Sequence, residues 1–212
     1  GISTPWFEGD IKAIVAAGGS GIMLPKCESA EDVLITKSFF NSADIPLFVI
    51  IETAKGVLAA PAISNALTEQ DSVCFGHVDF AADMALNEAN ASEGVIYHSR
   101  CQVALAARAF GASPIDNVCL DIADEQAIRE DTLAGLKLGY AGKLCIHPNQ
   151  VNIVNAVYTP THEEVDKAKA ILAAWDVAQE EGSGVFTFQN KMIDLPVIRA
   201  QQNILMRYQA AQ

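Results

Sequence analysis

Two kinds of apolar pattern alternate along this chain. Short continuous runs of β-branched and aromatic residues, such as Leu47-Phe48-Val49-Ile50-Ile51 and Val73-Cys74-Phe75, predict buried strands. Longer stretches with helical spacing separate them. The pattern predicts helices over 5–17, 29–39, from about 55, and over 94–110, 125–138 and 149–157. It predicts strands over 21–24, 47–51, 73–75, 117–120 and 143–146. Pro5 suits a first helical turn and Gly18-Gly19 ends that helix. Strands alternating with helices imply βαβ units and a parallel sheet, here five units of roughly 30 residues each before Thr159.

After Tyr158 the character changes. Thr161-His162-Glu163-Glu164 is a capping box, and Val165, Ala168, Leu172 and Trp175 then share one helical face. Gly182-Ser183-Gly184 breaks that helix, and 185–189 with 192–194 predict a hairpin turning at Asn190-Lys191. Pro196 starts a last helix that ends near Ala210. The expected division is 1–158 and 159–212, the second part suited to a lid or a subunit-swapped arm.

Composition narrows the classes. Half of the 212 residues are hydrophobic, enough for a sizeable core. A net charge of -12 argues against a nucleic-acid partner. There is no apolar run of membrane-spanning length and Gly1-Ile2-Ser3-Thr4 has no signal character, so a soluble protein without a membrane partner is expected. The five cysteines (Cys27, Cys74, Cys101, Cys119, Cys145) show no C-x-x-C spacing, and three fall in predicted strands. They are read as free thiols in a reducing cytoplasm.

The candidate chemistry sits where predicted strands stop. Glu52 follows one strand directly and Asp79 lies just past another. Two carboxylates at neighbouring strand ends suit Mg²⁺, a hard cation that keeps several waters and needs only one or two protein carboxylates. Alone, Glu52 could face a helix dipole and Asp79 could cap a helix; their joint placement favours metal ligation. Gly76 is either a site of close approach or an ordinary tight turn. Lys26, Asp121 and His147 also follow strands, as in the active-site layout of a (β/α)8 barrel. Five units cannot close eight strands, so either the sheet is open or three further units lie outside this sequence.

Five blocks carry a resemblance. Gly21-Ile22-Met23-Leu24-Pro25-Lys26-Cys27-Glu28-Ser29, Ile51-Glu52-Thr53-Ala54-Lys55-Gly56, Phe75-Gly76-His77-Val78-Asp79, Gly142-Lys143-Leu144-Cys145-Ile146-His147-Pro148-Asn149-Gln150 and Met192-Ile193-Asp194 occur in one order. Together they resemble the citrate lyase beta subunit and the malyl-CoA and citramalyl-CoA lyases of the HpcH/HpaI aldolase superfamily, from about Thr4 to the C-terminus. The resemblance implies an α/β fold, a (β/α)8 TIM barrel of which this chain carries strands four to eight, with a C-terminal helix–hairpin–helix lid. It also implies a homotrimer whose lid covers a neighbouring subunit's site. The missing strands would carry an acidic pair and the arginine that grips the oxo acid, so a truncated piece of a longer chain is expected.

By the same resemblance Mg²⁺ sits on Glu52 and Asp79, and main-chain N–H groups around Gly76 hold a substrate carboxylate. Asp194 exchanges a proton with the methyl carbon of acetyl-CoA; its alternative is a cap for the last helix. Relatives often have alanine or threonine at His77 and glutamate at Val78, a departure that could alter substrate choice. His77 is read as a loop histidine without a catalytic task, its alternative being a contact with substrate. Lys26 could meet CoA phosphates or substrate, or be a salt-bridged barrel lysine. His147 is read as fixing a loop, Arg100 and Arg108 as a solvated helix face, and Asp121 with Asp124 as capping. The function implied is a Mg²⁺-dependent lyase cleaving a citramalyl-, malyl- or citryl-CoA type thioester to acetyl-CoA and a 2-oxo acid. The rivals are a metal-dependent aldolase of free hydroxy-oxo acids and a non-catalytic CoA-binding subunit.

Overall fold

The computed structural model describes residues 1–40 and 45–211, and the chain divides into two compact units, Gly1–Val151 and Asn152–Gln212. The first unit contains α1 (Phe7–Ala16), β1 (Ile22–Leu24), α2 (Ala30–Lys37), β2 (Leu47–Ile51) and α3 (Ala54–Asn65). It continues with β3 (Ser72–Phe75), α4 (His77–Asp83), α5 (Gly94–Ala109), β4 (Ser113–Asp116), α6 (Glu125–Lys137), β5 (Gly142–Lys143) and the start of α7 (Pro148–Tyr158). Side-chain caps begin the helices where polar residues follow strands: Ser29 accepts from the Asp32 N–H, Thr53 from Gly56, and Asp124 from Gln126 and Ala127.

The five strands pair in parallel in the order β1-β2-β3-β4-β5, each beside its predecessor. A doubly wound sheet reverses its strand order at a switch point. This sheet does not, so its crossovers all run the same way round, as in a barrel wall. Leu47, Val49 and Ile51 are fully buried, and the register carries that face through Val73 and Phe75 to Pro114 and Asp116. The opposite face carries Met23, Phe48, Ile50, Cys74 and Ile115, so both faces are apolar, as in a sheet covered on both sides. Among the described residues no helix is long and apolar enough to cross a membrane.

Two strands differ from expectation. The fourth lies at Ser113–Asp116 rather than 117–120, and the fifth at Gly142–Lys143 rather than 143–146. Pro114 has no N–H and argues against a central strand, yet its carbonyl accepts the Ala141 N–H at 2.8 Å and Val73 pairs with it in register. Asp116 reads as polar but is wholly buried against Arg100. The apolar Val118 and Leu120 belong to the loop beyond. Consequently only Cys74 lies in a strand; all five cysteines are free, three of them buried. Burial pushes the Cys27 and Cys74 thiols up to about 12, which keeps them protonated.

The second unit holds α8 (His162–Glu180), an antiparallel pair β6 (Phe186–Phe188) and β7 (Lys191–Ile193), and α9 (Leu195–Ala210). The capping box at Thr161 and Glu164 is formed. Gln189 and Asn190 turn the hairpin with left-handed φ values of 47° and 61°. Ile171, Ile193 and Ile198 make its core, with Trp175 and Phe186 packed against them.

Candidate active site

Glu52 and Gly76 are the first residues beyond β2 and β3, whose last residues Ile51 and Phe75 are paired in register. Period-two alternation turns Glu52 to the face opposite Ile51. Glu52 is 7% exposed, and its Oε1 accepts the Lys26 N–H at 2.9 Å. Its other oxygen lies against Gly76, where a Cβ would stand 2.7 Å from Oε2 and 2.7 Å from the Glu52 Cβ. Only glycine permits that approach. The Gly76 N–H is itself committed to the Ile51 carbonyl at 2.9 Å. An anion at this strand end would therefore meet the first-turn amides of α4, which have no partners within the helix.

Asp79 is the third residue of α4, whose N-cap is Gly76, so it does not cap that helix. Its side chain is 58% exposed, and the Lys26 ammonium stands 4.0 Å from Oδ1. Asp83, one turn further, accepts the Ala54 N–H at 2.7 Å and so ties α4 to the start of α3. Burial pushes the Glu52 carboxyl above its ordinary range; the Lys26 N–H pulls it back and the Asp79 charge pushes it up again. That mutual repulsion marks a place for a cation.

The donor set has a definite character. Among the described residues no group of three or more His, Cys, Asp or Glu side chains converges for a metal. A pair of carboxylates is too few for a structural zinc site, which closes with four ligands. It is sufficient for Mg²⁺, which completes an octahedron with water and substrate oxygens. One Glu52 oxygen is held by an amide while the other faces the Gly76 cradle, so the carboxylate is oriented in advance. The residues fit Mg²⁺.

Elsewhere the residues singled out in the sequence stand in other surroundings. His77 is 3% exposed, its Nδ1 has no hydrogen-bond partner, and burial pushes its imidazole toward the neutral form. It lines a cavity of about 270 Å³ with Asn90, Ser92, Asn117 and Asp131, which neither Glu52 nor Asp79 lines. Arg100 is no solvated helix residue: it is fully buried, forked onto Asp116 at 2.8 and 2.5 Å, and reaches Asp131 at 3.0 Å. Lys143 joins the same cluster, 2.5 Å from Asp131 and 3.3 Å from Asp116. Helical spacing concealed this cluster, because the partner Asp116 lies sixteen positions from Arg100 and Asp131 further still. Arg108 donates to the Gly139 carbonyl, and His147 Nδ1 accepts the Asn149 N–H at 3.2 Å. In the second unit Asp194 caps α9, accepting the Val197 N–H at 3.4 Å.

Comparison with known proteins shows the family. Residues 1–148 match the family model described as HpcH/HpaI aldolase/citrate lyase, and 103–209 match that of a C–C bond lyase of the TIM-barrel fold. The chain is 32% identical to citrate lyase subunit beta of Leuconostoc mesenteroides subsp. cremoris over 97% of its own length and 70% of the relative's. It is 31% identical to the mitochondrial citramalyl-CoA lyase of Rattus norvegicus, over 96% of this chain and 65% of that one. It thus spans about two thirds of the length of these relatives. Among solved structures it is similar to the protein CitE of Mycobacterium tuberculosis in complex with magnesium, acetoacetate and coenzyme A. That likeness has a TM-score of 0.79 at 30% identity, over 98% of this chain and 75% of that one. A citrate lyase from Burkholderia xenovorans superposes at a TM-score of 0.83 and 21% identity, a likeness of fold.

Proposed function

This chain belongs to the HpcH/HpaI aldolase/citrate lyase family, and we propose that it serves a magnesium-dependent carbon–carbon lyase acting on a hydroxy-acyl thioester of CoA. The substrate is of citramalyl-, malyl- or citryl-CoA type, and the products are acetyl-CoA and a 2-oxo acid. The observation that carries this reading is the Glu52–Asp79 pair, with Glu52 oriented by the Lys26 amide and by the bare Gly76 backbone. The relatives named as lyases, and the related CitE structure that contains magnesium, acetoacetate and coenzyme A, support it.

Glu52 and Asp79 would hold Mg²⁺, which when bound supplies a Lewis acid that polarises the hydroxyl or keto oxygen of the substrate acid. Gly76 leaves room for the acid, and the α4 amides face its carboxylate. In the cleavage direction the carbinol hydroxyl gives its proton to water and its oxygen becomes the keto oxygen of the 2-oxo acid as the bond between the carbinol carbon and the thioester's α-carbon breaks. The electron pair then passes to the acetyl thioester as an enolate. Asp194, reaching over from the lid of a neighbouring subunit, delivers a proton to that carbon, and in condensation it removes one. We also propose that the sheet is the second part of a (β/α)8 barrel, that 159–212 form a lid over a neighbouring subunit's site, and that the enzyme is a cytoplasmic trimer.

Calorimetric titration of Mg²⁺ into the chain and into Glu52→Gln and Asp79→Asn tests the site. Each substitution is expected to weaken binding by about tenfold or more, a loss seen even for groups one step removed from a metal. Equal affinity in all three proteins would remove the pair from the site. Supplying citramalyl-, malyl- and citryl-CoA in turn, with and without a chelator, then identifies the thioester.

A further inference from the structure

Lys26 touches both candidate ligands. Its N–H donates to Glu52 Oε1 at 2.9 Å, and its ammonium stands 4.0 Å from Asp79 Oδ1. The backbone there is left-handed, with φ of 52°, a region that side chains other than glycine, asparagine and aspartate seldom adopt. Such a conformation persists only where its surroundings hold it, and it concentrates at functional sites. Here the holding groups are visible: β1 ends at Leu24, and Cys27 returns its N–H to the Ile50 carbonyl at 3.0 Å. Between these anchors the chain must turn, and the turn aims the Lys26 amide at Glu52. The side chain, 61% exposed, is left free to reach across to Asp79.

We propose that Lys26 has two separable tasks: its left-handed backbone presets Glu52 for the metal, while its ammonium is the resident counter-cation that Mg²⁺ must displace from Asp79. The inference rests on the assignment of Glu52 and Asp79 as the Mg²⁺ ligands. A mobile ammonium beside Asp79 lowers the repulsion between the two carboxylates when no metal is bound. It also competes with the metal and sets a ceiling on affinity. Because the pair is exposed, its release is expected to cost little, which keeps the metal exchangeable.

The two tasks predict opposite signs, measured as Mg²⁺ affinity by calorimetry on the full chain. Lys26→Met removes the competing charge but keeps an unbranched stem, so Mg²⁺ should bind about two- to fivefold tighter, the range set by exposed ion pairs. Lys26→Gly removes the charge and relieves the left-handed strain, and should match or exceed that gain. Lys26→Val also lacks the charge but resists a positive φ, so it should bind more weakly than Lys26→Met. A thermal melt of each variant confirms that it is folded. Unchanged or weaker binding in both Lys26→Met and Lys26→Gly would overturn the counter-cation, and equal binding in Lys26→Met and Lys26→Val would overturn the backbone task. Failure of the ligand assignment reads differently: wild type, Glu52→Gln and Asp79→Asn would then share one affinity.

Discussion

Two charged clusters stand at the ends of neighbouring strands in the first unit, and they are built on opposite principles. The cluster at β4 and β5 matches Arg100 and Lys143 against Asp116 and Asp131; Asp116 is sealed, and only Asp131 keeps part of its side chain exposed. Burial alone would lower the affinity of Arg100 for its proton, but Asp116 and Asp131 hold it raised. At β2 and β3 two carboxylates share one exposed lysine, 4.0 Å from the nearer oxygen. A matched, buried cluster is committed to the fold, because any member lost leaves a charge without water or partner. An under-compensated pair of carboxylates with repelling charges is poised to take a ligand. The contrast favours a structural role for one cluster and supports the proposed chemistry at the other.

The largest effect that tests this contrast belongs to Asp116. Asp116→Ala leaves Arg100 and Lys143 buried with one carboxylate between them, and breaking such a pair costs about 3–5 kcal/mol. Urea unfolding should show the loss, while Mg²⁺ affinity below the transition stays at the parent value. The geometry around Gly135 sharpens the point, since a Cβ there would sit 2.1 Å from Asp116 Oδ2. A loss well under about 1 kcal/mol, the scale of an exposed pair, would mean the cluster is not what holds α5, α6 and the sheet together.

How far the sequence exposed this arrangement depends on which forces acted locally. Strand Leu47–Ile51 and the capping box at Thr161 were legible because a five-residue apolar run and a four-residue cap are decided within themselves. Glu52 and Asp79 could be proposed as a pair because strand ends in a parallel sheet converge, which makes position along the chain a guide to position in space. Strand Ser113–Asp116 was displaced because Pro114 and Asp116 are justified only by the neighbours that β3 and α5 bring. Arg100 was hidden for the same reason, its partner lying sixteen positions away. The role of Lys26 needed its φ value, which residue type does not reveal.

A carboxylate can serve both fold and chemistry, and Asp194 asks how the two are divided. As the cap of α9 it accepts the Val197 N–H. Asp194→Ala should cost about 1 kcal/mol in a thermal melt, the usual loss of a side-chain cap. Asp194→Asn keeps a capping oxygen and should stay within a few tenths of a kcal/mol of the parent. The proposed proton transfer needs a group that titrates, so Asp194→Asn should abolish thioester cleavage as completely as Asp194→Ala. Retained turnover in Asp194→Asn would leave the residue with its cap alone.

The smallest effect carries the sign that separates the two kinds of carboxylate. Burial raises Glu52 above its ordinary range, so the folded chain holds that proton more tightly than the unfolded one. Stability should therefore fall as pH rises from about 4.3, the ordinary glutamate value, through the raised folded value, and stay lowered beyond it. Asp71 behaves in the opposite sense. Its burial would raise it, but the Lys37 ammonium and the Leu47 and Thr68 amides outweigh that and hold it low. Its contribution is present above the ordinary aspartate value of about 3.9 and is lost only as pH falls through the lower folded one. The two windows do not overlap. Glu52→Gln should therefore melt progressively higher than the parent as pH rises above about 4.3. Mg²⁺ at one fixed concentration should then stabilise the parent more than the variant, since a ligand of the folded state shifts the transition according to its affinity. A Glu52→Gln variant whose melting tracks the parent across that range would place Glu52 with Asp71, among carboxylates the fold has already satisfied.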